Sequence, residues 1–330
     1  MTDLKFDASM PGLSQDAIDA ATRAEELGFD GIWSSETAND AFLPHPVAAE
    51  HTSDITLGTR IALSFTRSPM VLAYTAWDLA DYSDGRFVLG LGTQVKGHNI
   101  RRFSVDFEWE SPGPRLKEVV ESIKHIFDVF QGREDRLNYE GEYYSFSLMT
   151  DFFDPGPIDN PDVPIFIAGV NEYNLRLAGE VCDGIAMHGF NTPEYTRDVI
   201  VPTVKEGADK TGRSLDEVDL AASPMIITGE TEEEIAQSRE ATRRQISFYG
   251  STRTYHPVFE HHGWNEVGPE LHELSVDGRF DEMPDLITDE ILYTFAIEAE
   301  PGDVVDEVID TYGDVADRVS IPLDRGEDLP

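Results

Sequence analysis

The residues of this 330-residue chain that are equipped for chemistry gather at the downstream ends of short apolar runs. They are Ser34 to Asn39, Ser64 to Arg67, Gly90 to His98, Ala168 to Asn171, and His188. Glycine recurs among them, as it must where a backbone comes close to a ligand. Gly90-Leu-Gly92 invites a dinucleotide-binding reading, but the third glycine of G-x-G-x-x-G would fall at Val95, so that fingerprint fails. No G-x-S-x-G elbow, Walker loop or H-E-x-x-H pair is present either. His256, His261 and His262 lack ligand spacing and have no framing carboxylate, so no metal site is expected. What remains is a set of polar, glycine-rich loops suited to a small-molecule ligand.

The elements that must hold those loops alternate along the chain. Apolar runs at 4–8, 31–34, 57–64, 86–91, 164–169, 184–188, 218–227 and 317–322 read as strands, and periodic segments between them read as helices. Alternation of this kind is the sequence form of a parallel α/β fold. Eight strands favour a (β/α)8 TIM barrel over an open doubly wound sheet, and in such a barrel the loops after the strands form the active-site face. In 114–130, Leu116, Val119, Val120, Ile123, Ile126, Phe127 and Phe130 keep the spacing of one buried helical face, with Pro114 suited to N1 and Gly132 to C′. Ser68-Pro69, Thr192-Pro193 and the Thr231/Glu234 pair mark three further helix starts. Residues 1–330 read as one domain with two insertions: a hairpin-like segment at 136–160 after the fourth strand, and an irregular aromatic and His-rich lid at 248–283 after the seventh. The chain stops soon after the eighth strand, leaving too few residues for a full closing helix.

Composition narrows the partners. The formal net charge is −39, with acids spread among periodic apolar residues rather than collected in a tail. This is a solvated surface, and its scarcity of lysine resembles proteins from salt-loving archaea. At molar salt the Debye length is about 3 Å, so the self-repulsion of such a surface is screened. Phosphate backbones would be repelled, which excludes nucleic acid. Cys182 stands alone and precludes an intrachain disulfide. No basic-then-apolar leader and no membrane-length apolar stretch is present, so a cytoplasmic protein without a membrane partner is expected.

Asp78-Leu-Ala-Asp-Tyr-Ser-Asp-Gly-Arg-Phe-Val-Leu-Gly-Leu-Gly-Thr-Gln-Val95 reads as helix, glycine turn, strand buried on both faces and glycine-rich loop. This block resembles a segment of the bacterial luciferase-like superfamily, barrel enzymes that use a flavin or the deazaflavin coenzyme F420. The likeness extends to Ala24-Glu-Glu-Leu-Gly-Phe-Asp-Gly-Ile-Trp33, Leu57-Gly-Thr59 with Thr66-Arg-Ser-Pro69, Pro164-Ile-Phe-Ile-Ala-Gly169, Leu177-Ala-Gly179 and Cys182-Asp-Gly184.

The resemblance implies a luciferase-like TIM barrel, a non-prolyl cis peptide between Arg60 and Ile61 behind the cofactor ring, and cofactor contacts from Glu36, Thr93 and Gln94. It also implies a phosphate held at Ala168, Gly169, Val170 and Asn171, where a turn enters a helix. Thr37 stands where many relatives carry a histidine, and Val95 where some carry a glutamate acid. His98 is then the best titratable group for proton transfer, with Glu36 and Thr37 beside it. Phe248, Tyr249, Tyr255 and Trp264 would roof the pocket. The expected activity is F420-dependent hydride transfer to or from an organic substrate, commonly in a homodimer. The alternatives are an FMN-dependent monooxygenase and a non-catalytic barrel.

Overall fold

Every long apolar run pairs with parallel neighbours. A computed structural model describes residues 4–105 and 111–330. In it β1 (Lys5–Ser9), β2 (Gly31–Ser34), β3 (Thr56–Thr59), β4 (Phe87–Gly92), β5 (Ile165–Gly169), β6 (Gly184–Met187), β7 (Asp219–Ala222) and β8 (Arg318–Ser320) lie side by side in the order 3-2-1-8-7-6-5-4. Pairing of β3 with β4 closes the ring. The result is the eight-stranded parallel barrel expected from the alternation, wrapped by helices.

Side chains alternate across the barrel wall. Ile32, Leu57, Leu89, Leu91, Ile165, Ile167 and Ile185 face outward into the large core shared with the helices, while Trp33, Val88, Phe166 and Ala221 form a separate cluster inside. Trp33 and Phe166 stack with ring centroids 5.7 Å apart. They fit because neighbouring inward positions are glycine: a Cβ on Gly58 would lie 2.4 Å from Trp33, and one on Gly184 would lie 2.5 Å from Phe166.

Beside this cluster the barrel holds charge. Asp7 on β1 has no solvent exposure, and its carboxylate accepts two bonds from the Arg318 guanidinium of β8, at 2.6 and 3.0 Å. Arg60, just beyond β3, donates to the same carboxylate at 3.3 Å. Both guanidinium groups lie 5.4 Å from the centre of the Trp33 ring. A charge so deeply buried is tolerated only when paired.

The helices follow the predicted starts. Ser68, Thr192 and Thr231 each cap a helix, and Thr231 with Glu234 forms the full capping box. The helix predicted at 114–130 runs Pro112–Phe130, so Pro112 rather than Pro114 takes N1. Gly132 does sit just past its end with φ +72°. Residues 139–146 form the expected hairpin, Tyr139–Glu140 against Ser145–Phe146. Two expectations are corrected. The run 218–227 is not one strand: β7 ends at Ala222, Ser223-Pro224 breaks it, and Met225–Ile227 pairs instead with Ala296–Glu298. The segment 248–283 is not irregular, since it ends the helix Glu232–Gly250 and continues through helices His256–His261 and Val267–Val276.

His45, in the helix Pro44–His51, supports the end of β2. Ser34 Oγ donates to the Ala41 carbonyl at 2.6 Å, so it accepts from His45 Nε2 at 2.8 Å, and Nδ1 is left buried without a partner. Imidazolium there would bury an unpaired N–H. Burial accordingly pushes the His45 pKa down to about 3.

Two outcomes follow for stability. Asp7→Asn strips both arginines of their shared buried carboxylate and should destabilise the fold by about 3–5 kcal/mol in chemical denaturation; a loss below about 1 kcal/mol would contradict the pairing. Because the His45 pKa is depressed, its contribution is complete above about pH 6.5 and is lost as pH falls below it. His45→Gln should therefore flatten the pH dependence of unfolding free energy between pH 6.5 and 5, by up to about 1.4 kcal/mol per pH unit.

Candidate active site

The third strand and its neighbour do not stay in step. Gly58 lies opposite Val88, pairing lapses, and it resumes with Ala62 opposite Leu91, so one strand spends an extra residue over the interval. Thr59 fills the gap: its hydroxyl donates to the Gly90 carbonyl at 2.7 Å and accepts from the Gly90 amide at 2.9 Å. Such a bulge re-aims the side chains next to it. The Arg60–Ile61 peptide within it is cis, as the resemblance implied.

The bulge sends its two side chains to different places. Ile61 packs toward β4 and β5: a Cβ on Gly92 would lie 2.6 Å from Ile61 Cδ1 and 3.4 Å from Ala168 Cβ. Arg60 turns across the mouth of the barrel, where Nη2 donates to Ser223 Oγ at 3.2 Å and to Ser320 Oγ, just past β7 and on β8. Burial and the nearby Arg318 lower the pKa of Arg60 while Asp7 raises it.

Arg60 forms part of the floor of a cavity of about 500 Å³ at the C-terminal ends of the strands. Ser9, Trp33, Ser35, His188, Ser223 and Ser320 contribute from the barrel, and Thr242, Gln245 and Tyr249 from the helix Glu232–Gly250. His188 Nδ1 accepts the Phe190 amide at 2.9 Å, which leaves the proton on Nε2. Its ring is packed between Tyr249 and Tyr255, at centroid distances of 4.6 and 4.7 Å. Burial lowers its pKa to about 4, so the ring is neutral near pH 7.

The residues singled out from sequence separate into groups. Glu36 is engaged: its carboxylate accepts the Leu63 amide at 2.7 Å and Arg67 at 2.8 Å, and Arg67 also holds Asp40 at 2.6 Å. It thereby fastens the loop after β2 to the far side of the bulge. Thr37 is exposed, with its carbonyl bonded to Arg102. His98 is exposed on the short helix Lys96–Arg101 and does not line the cavity. Asn99 holds the Thr93 carbonyl at 2.9 Å, and Gln94 adopts φ +55° with its side chain on the Val95 amide. Ala168 and Gly169 end β5, Val170 follows, and Asn171 caps the helix Glu172–Val181 by accepting the Asn174 amide at 3.0 Å. None of Thr93, Gln94 or residues 168–171 lines the Arg60 cavity.

Of the four aromatics expected to roof the pocket, Tyr249 lines the cavity and Tyr255 backs His188. Phe248 points to solvent, and Trp264 packs among Phe259, His262 and Phe295. The histidines of this segment do meet carboxylates, contrary to expectation. Glu194 and Asp198, on the helical segments Pro193–Tyr195 and Thr196–Ile200 after β6, lie 3.7 and 3.5 Å from His261 Nε2. Sequence reading missed Asp7, Arg318, Ser223 and Ser320. The available signal was charge inside otherwise apolar runs: Lys5 and Asp7 within 4–8, and Asp317 and Arg318 within 317–322.

Comparison with known proteins agrees with this geometry. An uncharacterized protein of Mycobacterium tuberculosis is 41% identical over 316 residues, covering 96% of this chain and 92% of that one. The 5,10-methylenetetrahydromethanopterin reductase of Methanopyrus kandleri is 29% identical over 297 residues, 86% of this chain and 82% of that protein. The solved structure of the coenzyme F420 dependent tetrahydromethanopterin reductase from the same organism matches with a TM-score of 0.78 at 25% identity, over 99% of this chain and 96% of that one. The profile of the luciferase-like monooxygenases matches residues 7–318. With the barrel, the bulge after its third strand and a match over nearly the whole sequence in hand, the chain belongs to the luciferase-like monooxygenase family.

Proposed function

We propose that this protein is an F420-dependent oxidoreductase that moves a hydride between the deazaflavin and a small organic substrate. The observation that carries the reading is the cradle made by the bulge. Ile61, Gly92 and Ala168 meet at the ends of β3, β4 and β5, and Ile61 closes on Gly92 so tightly that even a methyl group there would collide with it at 2.6 Å. A flat ring fits against such a backing of small apolar groups. Beside it, the first turn of the helix Glu172–Val181 follows directly on Gly169, Val170 and Asn171. Amides at a helix start suit a phosphate. The similarity to an F420-dependent reductase across nearly the whole chain supports the choice of deazaflavin.

When bound, the deazaflavin would supply the hydride chemistry. The chain would hold it through Ile61, Gly92 and Ala168 behind the ring, Thr93 and Gln94 alongside, and residues 169–171 at the phosphate. Glu36 acts as a positioning residue, because its Oε2 accepts both the Leu63 amide and the Arg67 guanidinium and so ties the loop after β2 to the bulge. We assign contact with the substrate to His188 rather than to the exposed His98. His188 faces the cavity as a neutral donor through Nε2–H, suited to hold a substrate oxygen or nitrogen. The two tyrosines on its ring keep water away and fix its orientation.

The acidic surface calls for these tests to be run in molar KCl. Titration with F420, followed by ligand fluorescence, should saturate at one equivalent per chain, with FMN binding about tenfold or more weakly. Preference for FMN would favour a monooxygenase, and binding of neither would favour a barrel without cofactor chemistry. By nuclear magnetic resonance, the His188 ring should not titrate between pH 8 and about 5 and should protonate only near pH 4. Titration near pH 6.5 would remove the neutral-donor role.

A further inference from the structure

The cavity over Arg60 stands apart, in charge, from the rest of the molecule. Asp and Glu make up 64 of 330 residues, yet among the described residues none lines this cavity. Its ionised group is instead the Arg60 guanidinium, and much of its remaining polar lining offers donors: the hydroxyls of Ser9, Ser223 and Ser320, the Gln245 amide and the His188 Nε2–H.

Arg60 is not neutralised by its surroundings. Among the described residues its one carboxylate partner, Asp7, gives it a single bond at 3.3 Å and spends its two shorter bonds on Arg318. Arg318 also approaches Asp219 at 3.8 Å, but that carboxylate is shared with Lys5 at 3.5 Å. Two buried guanidinium groups therefore divide one buried carboxylate. The other nitrogen of the Arg60 fork meets only the hydroxyls of Ser223 and Ser320. Hydroxyls can accept from arginine while turning their own protons toward a ligand, so the three groups form one donor cluster. In a site walled by Trp33 and closed below by the barrel core, such a charge is poorly screened and strongly favours an anion.

We propose that this cavity receives the substrate by an oxyanion, a carboxylate being the group that matches the Arg60 fork flanked by Ser223 and Ser320. The inference rests on the oxidoreductase reading for calling the anion a substrate. The anion is distinct from a cofactor phosphate, since the residues assigned to that phosphate, 169–171, lie outside the cavity lining. It also limits the substrate. Within a cavity of about 500 Å³ that Arg60 and His188 both line, a substrate whose carboxylate sits on Arg60 must bring its reacting carbon within reach of His188.

The test uses the full chain without cofactor, benzoate as the probe and benzamide as its neutral counterpart, by calorimetry at fixed ionic strength. The wild-type protein should bind benzoate about tenfold or more tightly than benzamide. Arg60→Gln should abolish that preference while melting as a folded protein, because Arg318 still holds Asp7; Arg60→Lys should restore part of it. Ser320→Ala should weaken benzoate binding with little effect on benzamide. Equal binding of the two probes, or an unchanged preference in Arg60→Gln, overturns the inference. Stoichiometric displacement of benzoate by F420 also overturns it, by assigning the anion to the cofactor. Failure of F420 to bind while benzoate still prefers the wild type would sink the cofactor reading alone and leave the oxyanion site standing.

Discussion

The buried carboxylate of Asp7 is the constraint on which the rest of this barrel depends. An ion without solvent exposure survives only if opposite charge and hydrogen bonds replace the water it has lost. Asp7 obtains both from Arg318, which enters from the last strand, and from Arg60, which enters from the bulge after the third. One interaction thus ties β1 to β8, where the ring joins first strand to last, and also determines where the cation of the cavity floor lies. Trp33 is held in the same arrangement, with both guanidinium groups against its ring.

From that anchor the two sides of the bulge take different tasks. Thr59 replaces the missing strand pairing with its own hydroxyl, so the bulge is held without opening the barrel. Ile61 then faces the small residues of β4 and β5, and Arg60 faces the ends of β7 and β8. In the proposed reading, cofactor cradle and substrate cavity would be adjacent because two consecutive residues, Arg60 and Ile61, serve them. Glu36 and Arg67 brace the same loop from outside. Most of the chain's acids lie at the surface, whereas no described Asp or Glu lines the cavity, a separation that would let the proposed anionic ligand bind inside an acidic protein.

The fold was largely legible because its signal is local. Each barrel strand is a short apolar run ended by turn residues, and caps such as Ser68 and Thr231 announce their helices within a few positions. The error at 218–227 was avoidable, since Pro224 lacks the amide a central strand needs. Helicity in 248–283 was harder to see, because the helices His256–His261 and Val267–Val276 are too short to display a period. The site was legible only in part. Loop positions follow from strand ends, but the direction of a side chain does not. Glu36 looked free and is bound by Leu63 and Arg67, while His98 looked central and is exposed. Asp7 and Arg318 are separated by 311 residues, and no spacing rule links such a pair. The Arg60–Ile61 cis bond came from resemblance alone, since no pattern of residue types announces it.

The claim that one bulge separates a cofactor cradle from an oxyanion cavity is tested most directly by a crystal structure of the protein with F420 bound. The account predicts the ring against Ile61, Gly92 and Ala168, the phosphate at the start of the helix Glu172–Val181, and the space between Arg60 and His188 left open beside it. A ring that fills the cavity over Arg60, with that helix start uncontacted, would contradict it.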